Sequence, residues 1–398
     1  MAINKVPASE LSGRLERFTA GMDAAYSNWE LCGITGYVNL FYLTGTICDG
    51  ILLIRRGAGA VLWVRRSYER ALIESGFGDI RPMSSFRDVS AGTGPLPETL
   101  YLDTAGATLE WYGLLSKHLK FGQVLPVDKV MLRTRAVKSG YELDRMRYAG
   151  GAVDRLLRNE FVSLLRDGIP EAELGIDLFS LYMKNGYHGI NRFSMRSGEM
   201  LLGHISFGDS ALYPSVFDGA SGIAGLCPAV PVLGSFDRRL REGDLIYIDT
   251  AFGHDGYHID KTMVFSYKKE QPARVAAAHA HCLDLERRTA EALRTGARPS
   301  DIYNEITALV EPGFRDSFMG APGRTVKFLG HGVGLYTDEM PVIASGFDAP
   351  LERGMTVAIE PKIGIPGVGM VGSENTYLVT DAGGECITGG QSEIITVS

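Results

Sequence analysis

Residues 243–260 read Gly-Asp-Leu-Ile-Tyr-Ile-Asp-Thr-Ala-Phe-Gly-His-Asp-Gly-Tyr-His-Ile-Asp and carry the clearest structural signal in the chain. Two strand-like runs flank the turn signal at 253–256, which predicts a β-hairpin. A hairpin symmetric about that turn places Asp249 directly opposite Asp260, with their Cβ atoms roughly 5 Å apart. Like charges at that distance repel, so a divalent metal ion between them is one interpretation. Two exposed carboxylates near a turn are the other.

A second pair of acidic residues repeats this arrangement. Glu360 follows the apolar run 355–359, Glu374 precedes the run 375–380, and residues 365–369, Ile-Pro-Gly-Val-Gly, lie midway between them. A hairpin centred on Gly367 therefore opposes two carboxylates again. Because a buried unpaired charge is costly, acidic residues inside apolar strands favour pairing or metal binding.

His331, in Gly330-His331-Gly332, is the natural nitrogen partner for these four carboxylates. The flanking glycines let the backbone approach a site closely and leave the imidazole accessible. Four carboxylates balance the charge of two divalent cations, and oxygen donors with one imidazole suit Mn, Co, Fe or Zn. We therefore expect two divalent metal ions, with Mn favoured.

The order Asp, Asp, His, Glu, Glu resembles the pita-bread metallopeptidases, which include prolidase, aminopeptidase P, creatinase and methionine aminopeptidase. The motifs that carry this resemblance are Gly243–Asp249, Gly256–Asp260, Gly330–Leu335, Ile359-Glu360-Pro361 and Ser373-Glu374-Asn375. The resemblance is closest to Xaa-Pro dipeptidases or aminopeptidases.

That resemblance implies a role for each of these residues. Asp249 would chelate one ion, Asp260 and Glu374 would bridge both ions, and His331 and Glu360 would hold the other. A bridging hydroxide would attack the scissile carbonyl, since bound metal lowers the pKa of water from 15.7 to about 7. Glu360 would also act catalytically by shuttling the proton.

Two domains are expected from 398 residues. Residues 1–137 alternate helical and strand-like segments, which predicts an α/β N-terminal domain, similar to that of creatinase and prolidase. Ser139 followed by Glu142 matches a capping box and begins the next helix. By resemblance, residues 138–398 form an α+β pita-bread catalytic domain, a curved antiparallel sheet backed by helices, and the protein is a homodimer.

The residues around the expected metal core depart from the family pattern. Asp338 stands where peptidases carry a His, Gly372 stands where proline-specific members often carry an Arg, and residues 227–233 lack the usual His. Asp338 is a candidate base or amine ligand. The other candidates for the catalytic pocket or for substrate binding are His204, Tyr257, His258, Lys327 and Tyr336.

Composition limits the partners and the compartment. The net charge is −7, so nucleic acid is an unfavoured partner. Five scattered cysteines without a CxxC pattern indicate reduced thiols. The sequence shows no secretory signal, and it has no run of about 20 apolar residues to span a membrane. We expect a cytoplasmic protein that acts on a small peptide or small-molecule substrate.

Three functions follow from these observations. The first is hydrolysis of an N-terminal Xaa-Pro bond. The second is metal-dependent elimination or hydrolysis of a small non-peptide substrate with Asp338 as base. A binding scaffold without catalysis is the third, and retention of all five candidate ligands argues against it.

Overall fold

The computed structural model describes residues 4–195, 198–216 and 219–398, and the chain divides into two compact units. The first unit ends at Arg135 and the second begins at Ala136, two residues before the boundary expected from the sequence.

The first unit is built on a six-stranded mixed sheet with the strand order β4-β3-β2-β1-β5-β6. Leu31, Ile51, Leu53 and Leu100 pack its core together with Trp63. The strands are β1 (Leu31–Ile34), β2 (Asp49–Arg55), β3 (Gly59–Arg66), β4 (Ile80–Pro82), β5 (Thr99–Leu102) and β6 (Gln123–Pro126), and the helices are α1 (Ala8–Ala25), α2 (Tyr37–Thr44), α3 (Tyr68–Glu74), α4 (Phe86–Thr93), α5 (Leu109–Leu115) and α6 (Asp128–Ala136).

The second unit begins with the predicted capping box. Ser139 Oγ accepts a hydrogen bond from the Glu142 backbone N–H, and Glu142 Oε2 accepts one from the Ser139 backbone N–H. The helices are α7 (Gly140–Arg155), which continues through a π turn (Leu156–Glu160) and a 3₁₀ turn (Phe161–Leu164), α8 (Glu171–Lys184), α9 (Ala273–Ala292) and α10 (Pro299–Ala308); further 3₁₀ turns span Gly208–Leu212 and Pro312–Phe314.

Mainly antiparallel strands form the rest of this unit. Three sheets have the orders β21-β11-β10-β9, β15-β14-β16-β19-β20 and β13-β12-β17-β18, and β7 pairs with β8. The strands are β7 (Asn191–Arg192), β8 (Glu199–Met200), β9 (Gly203–Phe207), β10 (Leu245–His254), β11 (Tyr257–Tyr267), β12 (Gly320–Ala321), β13 (Arg324–Thr325), β14 (Phe328–Gly332), β15 (Glu339–Ala344), β16 (Thr356–Ile359), β17 (Lys362–Ile365), β18 (Gly369–Gly372), β19 (Asn375–Val379), β20 (Gly384–Cys386) and β21 (Ile395–Val397).

The hairpin of β10 and β11 has a different register from the predicted one. Asp249 pairs with Thr262, and Asp260 pairs with Ala251, so the two aspartates are diagonal neighbours. The cause is the turn, in which Asp255 and Gly256 both have positive φ, as a two-residue type I′ connection requires. Because the register differs by two residues, both carboxylates stay on one face of the sheet.

The glutamate hairpin has the predicted register. Lys362 pairs with Gly372 on one side of the two glutamates, and Ile359 pairs with Asn375 on the other. Gly367 has a φ of 77° after Pro366, which suits a type II turn. Glu360 and Glu374 therefore lie opposite each other between these two antiparallel ladders.

The core of the second unit joins strands of all three larger sheets to helices α9 and α10, through residues such as Tyr247, Cys282, Ile302, Ile359 and Val371. Among the residues that the structure describes, none of the helices combines the length and apolarity needed to cross a bilayer.

Candidate metal centre

The five predicted ligands lie on strands of the second unit or directly beside them. Asp249 is on β10, Asp260 on β11 and His331 on β14, while Glu360 and Glu374 directly follow β16 and precede β19. His331 Nε2 lies 3.3 Å from Glu360 Oε1 and 4.0 Å from Glu374 Oε1. Asp260, Glu360 and Glu374 are each 7% exposed or less, so the cluster concentrates negative charge away from water.

Lys362 brings a cation into this cluster. Its ammonium Nζ donates to Asp249 Oδ2 at 2.9 Å, to Glu360 Oε2 at 2.7 Å and to Glu374 Oε2 at 2.8 Å. An ammonium has three protons, and these three carboxylates accept all of them. Burial alone would lower the pKa of Lys362, but the three carboxylates raise it well above its ordinary value, so the side chain is charged.

One ammonium does not balance four carboxylates. Burial raises the pKa of Asp260 to about 7, and the charge of Asp249 adds to this rise. Burial and Asp260 likewise raise the pKa of Glu374 well above its ordinary value. The pKa of His331, which burial would lower, rises to about 10 mainly because of Glu360. Without a metal ion, the side of the cluster away from Lys362 therefore tends to hold protons, and a divalent cation would displace them.

Asp260, His331 and Glu374 provide donors for such a cation. One ligand atom from each lies within 4.8 Å of the other two. Glu374 Oε1 is buried and accepts no hydrogen bond among the described residues, while Glu374 Oε2 is used by Lys362 and by the Thr262 hydroxyl. A buried acceptor without a donor is costly, and a metal ion would satisfy it. Two carboxylates and an imidazole therefore fit one divalent ion.

The donors around Asp249 do not fit a second ion equally well. Besides Lys362, Asp249 Oδ2 accepts hydrogen bonds from Ser221 Oγ at 2.9 Å and from the Tyr247 hydroxyl at 3.1 Å. Burial would raise the pKa of Asp249, but the charge of Lys362 holds it well below its usual range. The expectation of two ions compared the charges of four carboxylates with two divalent cations and did not include the Lys362 ammonium.

His204, a predicted catalytic residue, supports Asp249 through Ser221. It pairs with Asp249 across β9 and β10, and its Nδ1 lies 2.9 Å from Ser221 Oγ. Because the Ser221 hydroxyl donates to Asp249, His204 Nδ1 is the donor to Ser221. Burial lowers the pKa of His204 to about 4, so the ring is neutral.

Asp338 and His258 contact other parts of the second unit. Asp338 Oδ1 accepts the Ser194 backbone N–H, and Asp338 Oδ2 accepts the Ser194 hydroxyl at 2.7 Å. His258 is buried, with Nδ1 at 3.1 Å from the Gly334 carbonyl oxygen and Nε2 at 3.2 Å from His188 Nε2. Both side chains hold neighbouring loops in these contacts.

The remaining three candidates differ in exposure. Tyr257 is buried at the start of β11, Tyr336 is half-buried and Lys327 is exposed. Tyr336 places its backbone N–H 3.0 Å from Glu339 Oε1. Their roles toward a substrate stay predictions.

Sequence reasoning missed Lys362, Ser221 and Thr262. The position of Lys362 could have been predicted, because residues two apart on a strand share a face and Lys362 follows Glu360 by two. Ser221 and Thr262 carry no comparable pattern.

Comparisons with known proteins identify both units. The family model of metallopeptidase family M24 matches residues 144–381, more than half of the chain. The model of the creatinase/prolidase N-terminal domain matches residues 14–137.

A probable dipeptidase, PepE of Mycobacterium tuberculosis, is 30% identical over 278 residues, which cover 69% of this chain and 64% of PepE. The chain thus matches somewhat less than two thirds of that relative's length.

Two solved structures share the fold across nearly the whole chain. Dipeptidase PepE from Mycobacterium ulcerans has a TM-score of 0.79 at 23% identity and covers 99% of this chain and 100% of its own. The Xaa-Pro dipeptidase from Bacillus anthracis has a TM-score of 0.79 at 21% identity and covers 97% and 100%. The expected fold class, an α/β N-terminal domain before a pita-bread domain, is confirmed.

Proposed function

Because this chain belongs to metallopeptidase family M24, we propose that it is a metal-dependent peptidase that cleaves the N-terminal Xaa-Pro bond of dipeptides or short peptides. The observation that carries the proposal is the buried group of Asp260, His331 and Glu374, with Glu374 Oε1 left without a donor among the described residues. The similarity to a probable dipeptidase and to an Xaa-Pro dipeptidase supports the substrate class.

In this proposal Asp260, His331 and Glu374 hold a divalent ion, which supplies Lewis acidity toward the scissile carbonyl and toward water. Glu360 is the proton carrier. Burial would raise its pKa, but Lys362 and His331 hold that pKa below its ordinary value, so the carboxylate is ionised at neutral pH. Glu360 Oε2 is bonded to Lys362, which leaves Oε1, on the His331 side, to accept the proton of the attacking water.

Glu360 then delivers that proton to the amine nitrogen as the C–N bond breaks. Ser221 and Tyr247 donate to Asp249, and Lys362 bonds both Asp249 and Glu360, so these hydrogen bonds orient the Glu360 carboxylate. This fixed arrangement reduces the reorganisation needed during the reaction.

The alternative, a lyase or hydrolase of a non-peptide substrate with Asp338 as base, has no specific support in the geometry. Both carboxylate oxygens of Asp338 accept hydrogen bonds from Ser194.

The test follows the release of free amino acid from Ala-Pro, Met-Pro and Ala-Pro-Ala by the full chain with Mn²⁺, with Ala-Ala as the substrate control. We expect release from the proline peptides that stops with chelator and in His331→Ala, and that persists in Asp338→Asn. No release from protein that holds metal would refute the peptidase proposal. Activity on a small zwitterion that is lost in Asp338→Asn would support the alternative.

A further inference from the structure

The position of the Lys362 ammonium decides how many ions the cluster can hold. Nζ lies between 2.7 and 2.9 Å from one oxygen each of Asp249, Glu360 and Glu374, and the side chain is almost fully buried. A divalent ion on the same oxygens would lie about 2.0–2.2 Å from each. The ion and the ammonium would therefore occupy nearly the same point, and binding of one excludes the other.

The backbone around Lys362 directs its side chain to that point. Lys362 opens β17 and pairs with Gly372 of β18, and its carbonyl oxygen accepts the Met319 backbone N–H at 2.7 Å. A Cβ at Gly372 would lie 2.8 Å from Lys362 Cα and 3.1 Å from Lys362 Cγ. The absent side chain at Gly372 makes room for the lysine stem, and β17 fixes the direction of that stem toward the carboxylates.

The donors that Lys362 leaves available form a separate group. Asp260, His331 and Glu374 each offer one ligand atom, and these atoms lie within 4.8 Å of one another. On Glu374 the oxygen without a donor among the described residues is Oε1, and Glu360 Oε1 lies beside the group, 3.3 Å from His331 Nε2. Three protein ligands with further positions open to water or substrate are the usual composition of a catalytic site with a single metal ion.

We propose that Lys362 replaces one of two metal ions with a built-in ammonium, so that each chain binds a single divalent ion at Asp260, His331 and Glu374. The ammonium offsets part of the negative charge of Asp249 and Glu360, whatever the metal concentration. This inference rests only on the metal-binding part of the proposed function, and it makes no assumption about the substrate.

Metal stoichiometry and magnetic resonance test the proposal without an activity assay. The full chain is stripped with chelator, reloaded with excess Mn²⁺, desalted and analysed by mass spectrometry for Mn per chain. We expect one Mn per chain and the six-line spectrum of isolated Mn²⁺ in electron paramagnetic resonance. Two Mn per chain, a spin-coupled pair or no bound Mn in the wild-type protein would overturn the proposal.

Two lysine variants make the test specific. Lys362→Ala removes the ammonium and opens its space, so we expect binding to rise toward two Mn per chain. Lys261→Ala is the matched control, because the Lys261 ammonium is also buried but bonds Asn375 Oδ1 and the Thr388 carbonyl oxygen, and the substitution keeps the backbone N–H that donates to Asp260. It should remain at one Mn per chain. A folded Lys362→Ala variant, checked by circular dichroism, that still binds one Mn would contradict the proposal, and the wild-type result stands if that variant does not fold.

Metal content and peptide turnover together separate the single-ion proposal from the peptidase proposal. Wild-type protein with one Mn and no peptide turnover would refute the peptidase proposal alone. Protein with two Mn and chelator-sensitive turnover would refute the role of Lys362 alone.

Discussion

Lys362 and Gly372 pair directly across the hairpin of β17 and β18, and the lysine stem lies against the place where a side chain of Gly372 would be. Gly372 has a φ of 136°, and a Cβ there would lie 2.3 Å from the Pro361 carbonyl oxygen. The hairpin therefore places the Lys362 side chain beside a position that has to lack a side chain, so a larger residue at position 372 would displace the lysine.

Gly372→Ala should destabilise the protein and displace Lys362. Both the backbone clash and the positive φ oppose the new methyl group, for a cost of about 2–4 kcal/mol. Gly367→Ala is the matched control, because Gly367 also has positive φ but no neighbouring atom lies within 4 Å of its Cβ position. It should cost about 1 kcal/mol. Urea unfolding of the full chain measures both, and equal costs would contradict the packing argument.

Glu374→Gln should weaken metal binding by at least about 100-fold, because it replaces a carboxylate ligand with a neutral amide. Glu286→Gln is the control. Glu286 is equally buried but bonds Asn375 and Tyr377 outside the metal-binding group. Isothermal titration with Mn²⁺ should show unchanged affinity in this control. Similar losses in both variants would indicate a general structural effect instead of ligation.

Asp103, in the first unit, should make stability depend on pH. Burial raises its pKa to about 6, although the Thr35 and Gly36 backbone N–H groups and Asn39 donate to it and oppose the rise. The folded state then binds more protons than the unfolded state between about pH 4 and 6, so the free energy of unfolding falls as pH rises through that window. The loss reaches about 3 kcal/mol.

Asp103→Asn removes the titrating group and should flatten this part of the pH profile. Unfolding of both proteins at pH 4.5 and 7 measures the difference between the slopes. Parallel profiles of wild type and variant would contradict the raised pKa.

Ser139→Ala should cost about 1 kcal/mol, because it removes the acceptor that caps helix α7. Ser163→Ala removes a more exposed hydroxyl, bonded to the Glu160 carbonyl oxygen, and should change stability by less than about 0.5 kcal/mol. Thermal unfolding of the full chain compares the two variants. A Ser139→Ala variant as stable as the wild type would show that the capping box contributes nothing measurable.

Turn chemistry explains which parts of the site were predictable. Pro366-Gly367 allows a single turn centre, so the register that opposes Glu360 and Glu374 could be read from the sequence. The residues around Asp255 allow a turn centred on 254–255, as the sequence predicted, or on 255–256. The positive φ of Asp255 and Gly256 places the turn at 255–256. The shift by two residues preserved the shared face, which is why the aspartates still meet the other ligands.

Contacts between residues far apart in the chain explain why the sequence did not predict the partners of Lys362 and Asp338. Alternation along the strand places Lys362 on the face of Glu360, but the cation also reaches Asp249, which is 113 residues away in the chain. Asp338 is a second example: its position in the family pattern predicted a chemical role, which stays a prediction, and the folded chain bonds it to Ser194, 144 residues away. Sequence spacing alone does not show such partners.

The most direct test of the account follows peptide hydrolysis while metal is added back. Chelator-stripped protein receives increasing Mn²⁺, and release of free amino acid from an Xaa-Pro dipeptide is recorded at each step, with His331→Ala in parallel. The account predicts that activity rises from zero and levels off at one equivalent of Mn²⁺ per chain, with no activity in the variant. Activity without metal, or no activity at any Mn²⁺ concentration, would contradict the proposed function, and a plateau at two equivalents would contradict the role of Lys362.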